Sequence, residues 1–322
     1  MWKQRSARGT QHEGVRVSAG IIAEQLLNGL GYGLMLFLLA AGLTLVFGVM
    51  DVMNLAHGSV FMVGAYIGAT VSQYTGSFLL AIAAAIVGSA LVALALERSV
   101  VRRVYASSHL VQVVATMGII FVAEDAVKSI WGTAPIMAPT PAVLSGALQL
   151  LPDWPYPAYR VVILLAGVAV AGLLYGIVNH TKLGMLVRAG ASNRLMAELM
   201  GTRVKRVFAV IFALGAALAG LAGALMGPLT AVQAGMGEAI MIPALVVIVI
   251  GGIGSVRGAF VAALLVGFAD TLGRAFLPHL LKQMLSPAMV ADVAPAMAGM
   301  MIYILMAVVL GFKPSGLLPA RG

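Results

Sequence analysis

The sequence predicts an all-α fold, a polytopic transmembrane helix bundle of roughly eight or nine spans with a broken or re-entrant segment near residues 50–58. First, 61% of the 322 residues are hydrophobic and 10% are charged, against about 25% charged in an average soluble domain. Second, apolar stretches of about 20 residues, enough to cross a bilayer, recur from Ile21 onward. Third, runs such as 78–96 are apolar on every face, which excludes the alternating segments of about ten residues in a membrane β-barrel.

Nine apolar segments follow one another, and each predicts a helix whose ends are set to within a few residues. They cover 21–48, 59–75, 78–96, 110–130, 160–178, 207–227, 239–253, 259–277 and 294–312. Because the polar segments between them are short, the sequence predicts one transmembrane domain at 21–312, including a cytoplasmic loop at 181–206. A basic tail at 1–20 precedes it and a C-terminal tail at 313–322 follows it.

The net charge of +9 is typical of membrane topology here and not of nucleic-acid binding, because the basic residues lie in short loops between apolar runs. The basic segments 97–105 and 182–206 are predicted to face the cytoplasm, and the proline- and tryptophan-containing segment 131–159 the outside. Counting back from Arg98 through three apolar segments, however, places the basic tail outside. Either this tail crosses the membrane, or residues 21–75 are not two simple spans.

A polar interruption runs from Asp51 to Gly58 between the first two apolar segments. A continuous helix would place a carboxylate, an amide and an imidazole at membrane depth, where polar groups usually pair or line a path. The sequence therefore predicts a broken helix and a candidate substrate pathway, formed by Asp51, Asn54, His57 and Gly58. The alternative is that Asp51 and His57 cap helix ends at the interface. A metal at His57 is disfavoured, because ligands of the right kind are missing nearby.

The cytoplasmic loop contains a candidate amphipathic helix. Leu195, Glu198 and Leu199 share one helical face, and Gly201 stands where a helix would stop. Such a helix can lie on the membrane or dock into a groove on a soluble partner. A plain solvated connector is the alternative.

A glycine cluster, Gly251, Gly252 and Gly254, ends the seventh apolar segment. A phosphate loop would need a Gly-Lys dipeptide followed by Ser or Thr, and the chain contains no Gly-Lys. The cluster therefore predicts a tight turn. A further stripe of small residues spaced by four, Gly215, Ala219, Gly223 and Gly227, predicts close helix packing.

Four of these features, in the same order, resemble the permease subunits of ATP-binding-cassette importers of the branched-chain amino-acid type, with related urea and amide importers. The run Gly42 to Gly58 is similar to that family's Asn-(Phe/Leu)-Ala-His-Gly signature. The other matches are Glu97-Arg98, residues 200–220 and Gly251 to Ser255, and the resemblance covers roughly residues 25–318. The chain departs from the family at Arg257, where proline is frequent.

The resemblance implies a multi-pass protein of the bacterial inner membrane that works with a second permease subunit, two cytoplasmic ATP-binding subunits and an extracytoplasmic solute-binding protein. It implies no cofactor in this chain, with ATP used by the partner subunits. It also implies that the loop is a coupling helix received by an ATPase groove, with Gly184, Arg188, Arg194, Leu195, Glu198, Leu199 and Gly201 as its candidate residues. The solute would be a branched-chain or other amino acid, or else urea or a short amide.

Two other classes of function stay open on the sequence. A stand-alone channel or ion-coupled carrier would need no ATPase. A membrane-embedded enzyme could use Asp51 and His57 as an acid and base pair, although no other catalytic group is indicated.

Overall fold

The computed structural model describes residues 10–151, 154–192, 194–282 and 284–319. Within these residues the chain forms eleven α-helices and a small two-stranded antiparallel sheet. The helices are α1 (Thr10–Met50), α2 (His57–Thr75), α3 (Phe78–Ser99), α4 (His109–Trp131), α5 (Ala158–His180), α6 (Lys182–Ser192), α7 (Arg194–Leu199), α8 (Val204–Met226), α9 (Met236–Gly251), α10 (Val256–Leu281) and α11 (Pro287–Phe312). The sheet pairs β1 (Ala147–Leu151) with β2 (Trp154–Pro157), and 3-10 turns cover Val101–Val104 and Ala142–Leu144.

Each predicted apolar segment coincides with one helix, so the predicted all-α bundle is confirmed. In the described part of the chain, seven helices are long and apolar enough to span a membrane, the first of them over Gly20–Met50. The helices α2 and α9 are shorter or less apolar, with 19 and 16 residues. The predicted span count therefore agrees roughly with seven full-length candidates and two further helices.

Helix α1 forms the centre of the bundle. In its most apolar 18-residue window 89% of the residues are buried, against 67% in α8 and 33% or less in the other spans. It packs against α5, α8, α9 and α10, while α2, α3 and α8 pack against one another. A helix buried on all sides is expected to be apolar on all sides, which explains the even hydrophobicity of α1.

Small residues allow these central helices to approach closely. A methyl group at Gly33 of α1 would lie 2.8 Å from the carbonyl oxygen of Ala263 in α10. One at Gly42 would lie 2.7 Å from the carbonyl oxygen of Gly215 in α8. Gly223, also in the predicted stripe, contacts the backbone of α2 at Phe61. The stripe on α8 therefore serves helix packing, as its spacing predicts.

The two ends of α1 mark the two faces of the bundle. In its N-terminal half, Asn28 accepts a hydrogen bond of 3.1 Å from the hydroxyl of Tyr156 in β2. Near its other end, Gly48 packs against the backbone of Gly254, which precedes α10. The segment 131–159 thus belongs to the Asn28 face, which we call the outer face.

The predicted cytoplasmic segments lie at the opposite, inner face, where Tyr105 and Arg188 line one cavity together with Asp51. With these basic segments in the cytoplasm, α1 begins at the outer face and residues 21–75 form two helices joined by a break. The side of the membrane on which the basic tail lies stays a prediction. Residues 1–9 of that tail lie outside the described residues.

Candidate functional site

The predicted broken segment is present, because α1 ends at Met50 and α2 begins at His57. Asp51 closes α1 with its backbone N–H donating to the Phe47 carbonyl at 2.9 Å, and its φ is +51°, a conformation that aspartate tolerates better than most residues. The following backbone is held from α4, since the N–H of Met53 donates to Oε1 of Gln112 at 3.1 Å. The break is therefore a fixed structural element.

The break returns the chain into the bundle before α2 starts. The imidazole Nε2 of His57 lies 2.9 Å from the position that a methyl group at Gly42 would occupy. Gly42 is eight residues before the end of α1, or about 12 Å along the axis at 1.5 Å per residue. The first turn of α2 therefore lies well inside the inner face, as in the discontinuous helices of transporters.

Three buried polar atoms at this level have no hydrogen-bond partner among the described residues: Oγ1 of Thr44, Oδ1 of Asn54 and Nε2 of His57. Thr44 is 0% exposed, and Asn54 and His57 are each 2% exposed. An unsatisfied buried polar group costs about 1–3 kcal/mol, so their presence is unfavourable for folding. Groups kept at such a cost are typical of functional sites in membranes.

Asp51 lies apart from these buried groups. Its side chain is 79% exposed, and its carboxylate is 4.0 Å from Nε2 of His109 in α4, an exposed ion pair that contributes little stability. No described hydrogen bond joins Asp51 to His57. Among the predicted pathway residues, Asp51 thus lies at the surface, whereas Asn54 and His57 are buried. This separation is unfavourable for the alternative of an enzyme that uses Asp51 and His57 as an acid and base pair.

Gly58 contacts α9, and the sequence did not predict this contact. A methyl group at Gly58 would lie 2.8 Å from the carbonyl carbon of Gly237, in the first turn of α9. The N-terminal ends of α2 and α9 therefore meet inside the bundle, each with the positive end of its helix dipole. The signal for this second interrupted helix is the sequence Gly235-Met236-Gly237 ahead of a short apolar run, with Gly235 at a φ of +86°.

A charged group lies beside this crossing. Oε1 of Glu124 in α4 lies 3.5 Å from the position that a methyl group at Gly235 would occupy, and Oε2 of the same residue is 3.4 Å from Nζ of Lys128. The Glu124–Lys128 ion pair therefore lies beside the contact between the first turns of α2 and α9.

A cavity of 1750 Å³, here called the inner cavity, opens at the inner face. It is larger than the roughly 300–1,000 Å³ of ordinary small-molecule sites, as expected for a vestibule. Residues of the predicted pathway, of the predicted coupling loop and of the glycine cluster all line this cavity. Its wall includes Thr44, Asp51, His109, Gln112, Arg188, Gly254 and Arg257. The unpartnered hydroxyl-bearing residue Thr44 thus connects the buried level to the vestibule.

The glycine cluster connects α9 to α10 at the rim of this cavity. Gly251 ends α9, and Gly252 and Gly254 have φ of +97° and +80°, which only glycine adopts without strain. The C-terminal segment covers the turn, because the N–H of Leu317 donates to the Ile250 carbonyl at 2.8 Å.

The loop 181–206 folds as the two helices α6 and α7. Gly201, with a φ of +82°, ends α7, and the N–H groups of Gly201 and Thr202 donate to the carbonyls of Glu198 and Ala197, each at 3.0 Å. This is a Schellman motif. Gly184 and Arg188 contact the end of α5, where the Arg188 guanidinium donates to the Val178 carbonyl.

The outward surface of α6 and α7 carries long apolar side chains. Met185, Met196, Leu199 and Met200 are all exposed, with Leu199 at 74%. Glu198 is exposed beside them, whereas Ala197 is buried. The side chains of Arg194 and Leu195 lie outside the described residues. An exposed group of methionine and leucine side chains is typical of an adaptable docking surface.

Comparison with known proteins gives the class of the chain. A family profile described as "Branched-chain amino acid transport system / permease component" matches residues 25–310. The high-affinity branched-chain amino acid transport system permease protein LivH of Escherichia coli is 29% identical over 287 residues, covering 83% of this chain and 90% of that protein. BraD of Pseudomonas aeruginosa, a permease protein of the same description, is 29% identical over 78% of this chain and 85% of its own length.

A probable LivH of Methanocaldococcus jannaschii is 28% identical over 75% of this chain and 78% of its own length. No solved structure matches. These relatives are transport permeases and not enzymes, and with seven candidate spans the predicted multi-pass location in the inner membrane is confirmed. The chain therefore belongs to the family of permease components of branched-chain amino acid transport systems.

Proposed function

We propose that this permease imports branched-chain amino acids as one of two membrane-spanning subunits of an ATP-driven complex. The observation that carries the proposal is the interrupted start of α2, where Asn54 and His57 hold unpartnered polar atoms inside the bundle. This is the arrangement that discontinuous helices give to solute pathways. The named relatives, which are high-affinity branched-chain amino acid permeases, support the solute class.

In this proposal the partners are a second permease subunit, two cytoplasmic ATP-binding subunits and an extracytoplasmic solute-binding protein. ATP is used by the partners, and this chain has no Gly-Lys dipeptide with which to form a phosphate loop. The exposed surface of Met185, Met196, Leu199 and Met200 is the docking surface for an ATP-binding subunit.

Coupling would run through contacts at the inner face. Motion of α6 reaches α5 through Arg188 and Val178, and α5 reaches α10 through Asn179, whose Oδ1 accepts from Arg257 at 3.3 Å. Helix α10 follows the glycine turn, which ends α9. Helix α9 meets α2 at Gly58 and Gly237. Docking at α6–α7 could thereby change the opening between the two interrupted helices, with the solute passing chemically unchanged.

The test is uptake by the complete reconstituted complex in vesicles. Labelled L-leucine should enter when ATP and the solute-binding protein are present and should stay outside when either is omitted. Uptake by this chain alone, driven by a gradient, would show a channel or carrier instead. Uptake of urea or a short amide without uptake of leucine would contradict the proposed solute and would still support an ATP-driven importer.

A further inference from the structure

A second cavity, of 450 Å³, opens at the outer face, and we call it the outer cavity. Its volume falls within the roughly 300–1,000 Å³ of small-molecule sites. It lies between α1, β2, α5, α8 and α10, on the side where solute would arrive. Its polar wall consists of Gln25, Asn28, Tyr32, Tyr156, Arg160, Thr271 and Arg274.

Arg160 is a cation without a carboxylate partner in the described part of the chain. Its guanidinium donates to Oδ1 of Asn28, the same oxygen that accepts from the Tyr156 hydroxyl at 3.1 Å. Asn28 and Tyr156 are neutral, and no described ion pair joins Arg160 to the nearby carboxylate of Glu24, which acts on Tyr156. Arg160 is also in the first turn of α5, where a cation opposes the helix dipole. Its position is therefore unfavourable for α5 and favourable for binding an anion.

Arg274 adds a second guanidinium from α10. Its Nε donates to Oδ2 of Asp270 at 2.9 Å, one helical turn away. A guanidinium has donors on its two terminal nitrogens as well, and the described ion pair engages Nε. The pair fixes the orientation of Arg274 beside the cavity and partly neutralises it, so Arg160 is the stronger anion-binding group of the two.

The remaining wall of the outer cavity is apolar. Met35 of α1, Ile163 of α5, Met226 of α8 and Leu229 after it line the same space as the two arginines. Methionine side chains adapt to irregular aliphatic shapes. A ligand that fits both walls carries an anionic group at one end and an aliphatic group at the other.

We propose that the outer cavity is a recognition site for the transported solute, in which Arg160 and Arg274 bind the carboxylate of an aliphatic α-amino acid. The apolar wall receives its side chain. Guanidinium groups match the planar, two-oxygen geometry of a carboxylate. This inference rests on the proposed function and deepens it by placing a binding step on the outer side, ahead of the interrupted helices.

The test is binding of L-leucine and of L-leucinol to the purified complex of permease and ATP-binding subunits. The solute-binding protein is omitted, so that it contributes no binding of its own. Leucinol keeps the ammonium and the isobutyl group of leucine and lacks the carboxylate. The complex should bind leucine more tightly than leucinol by about tenfold to a hundredfold, the usual range for a hydrogen bond to a charged group.

Arg160→Gln should remove most of this preference by weakening leucine binding, while leucinol binding stays within about twofold. Arg274→Gln should reduce the preference less, because Asp270 already shares its charge. Arg160→Lys keeps the charge without the forked geometry and should retain part of the preference. Lys282→Gln is the matched control, since Lys282 is an exposed cation just past α10 and outside the cavity wall.

Two results would overturn the inference. One is a leucine preference unchanged in Arg160→Gln while the complete complex still imports leucine, which leaves the proposed function intact. The other is Arg160-dependent binding of glycerol phosphate with no binding of leucine, which would make the cavity a lipid-headgroup site. Failure of the complete wild-type complex to import leucine is the separate result that overturns the proposed function. Unfolding of Arg160→Gln at the wild-type temperature, measured on the same sample, shows that its lost preference is not caused by lost folding.

Discussion

The break between α1 and α2 and the segment α6–α7 both border the inner cavity, but their surroundings are opposite. At the break, Asn54 and His57 are buried, and Gly58 lies against the backbone of α9. On α6–α7, the side chains of Leu199 and Met200 are exposed and the helix end is stabilised by its own backbone. Under the proposed function, a change at the break is therefore expected to act on packing and on solute passage, whereas a change on α6–α7 is expected to act on a partner and to leave this chain folded.

The largest effect is expected for Gly58→Val. Its side chain would overlap the backbone of Gly237, which has no flexible atoms with which to move away. Overpacking of this kind costs about 1–3 kcal/mol or more, so the variant should unfold at a lower temperature and accumulate less in the membrane. Thermal unfolding of the purified protein, followed by loss of soluble monodisperse material, measures the difference.

Gly118→Val is the matched control for that experiment. Gly118 lies in the middle of α4, and no described residue comes within 4 Å of the position where its methyl group would stand. The same substitution there should change the unfolding temperature little. Equal destabilisation of both variants would mean that helix propensity and not the α2–α9 contact determines the cost.

The second expected effect concerns the buried polar atoms of the break, through Asn54→Leu and His57→Leu. Each substitution removes an atom without a described hydrogen-bond partner, whose burial costs about 1–3 kcal/mol, and His57→Leu also removes the contact of the imidazole with the Leu39 backbone. We expect the free energy of unfolding to stay equal or to rise, while ATP-driven leucine uptake falls by about tenfold or more. Opposite changes in stability and uptake separate a pathway role from a structural one.

Uptake at the wild-type rate in both leucine variants would remove Asn54 and His57 from the pathway. Lower stability together with lower uptake would instead assign them the bracing of the broken helix. Thr44→Val, which removes the third unpartnered atom at the wall of the inner cavity, provides an independent comparison.

The sequence was sufficient to predict the helices and the break, because both rest on local patterns. Apolar length predicted nine of the described helices, all except α6 and α7 of the loop 181–206, and the polar run from Asp51 predicted the interruption. The contact of Gly58 with Gly237 was not predictable, because it joins residues far apart in sequence through backbone atoms. The outer cavity was missed for the same reason, since Asn28, Arg160 and Arg274 lie in three separate helices. Tertiary placement of isolated polar residues has no periodic signal.

The third expected effect is on coupling, through Leu199→Glu. Leu199 is exposed at the end of α7, so substitution should change the free energy of unfolding by no more than about 0.5 kcal/mol. A charge in the apolar docking surface should nevertheless weaken the contact with the ATP-binding subunit, and stimulation of ATPase activity by solute should fall severalfold. Val143→Glu, at an exposed apolar position on the outer face, should leave stimulation unchanged. Equal coupling in the two variants would contradict docking at α6–α7.

The smallest expected effect compares two helix caps, one in each kind of surrounding. Ser255 caps α10 beside the glycine turn and accepts from the N–H of Gly258 at 3.0 Å, whereas Ser77 caps α3 at the outer face and accepts from Leu80 at 3.4 Å. Ser255→Ala should lower the free energy of unfolding by about 1 kcal/mol, as is usual for a lost N-cap, and Ser77→Ala by less because its bond is longer. Denaturant unfolding of the two variants in one detergent measures the difference. If Ser77→Ala lowers the free energy of unfolding as much as Ser255→Ala, the cap beside the glycine turn is no stronger than the cap at the outer face. The difference between the buried break and the exposed regions would then lie in side-chain packing alone.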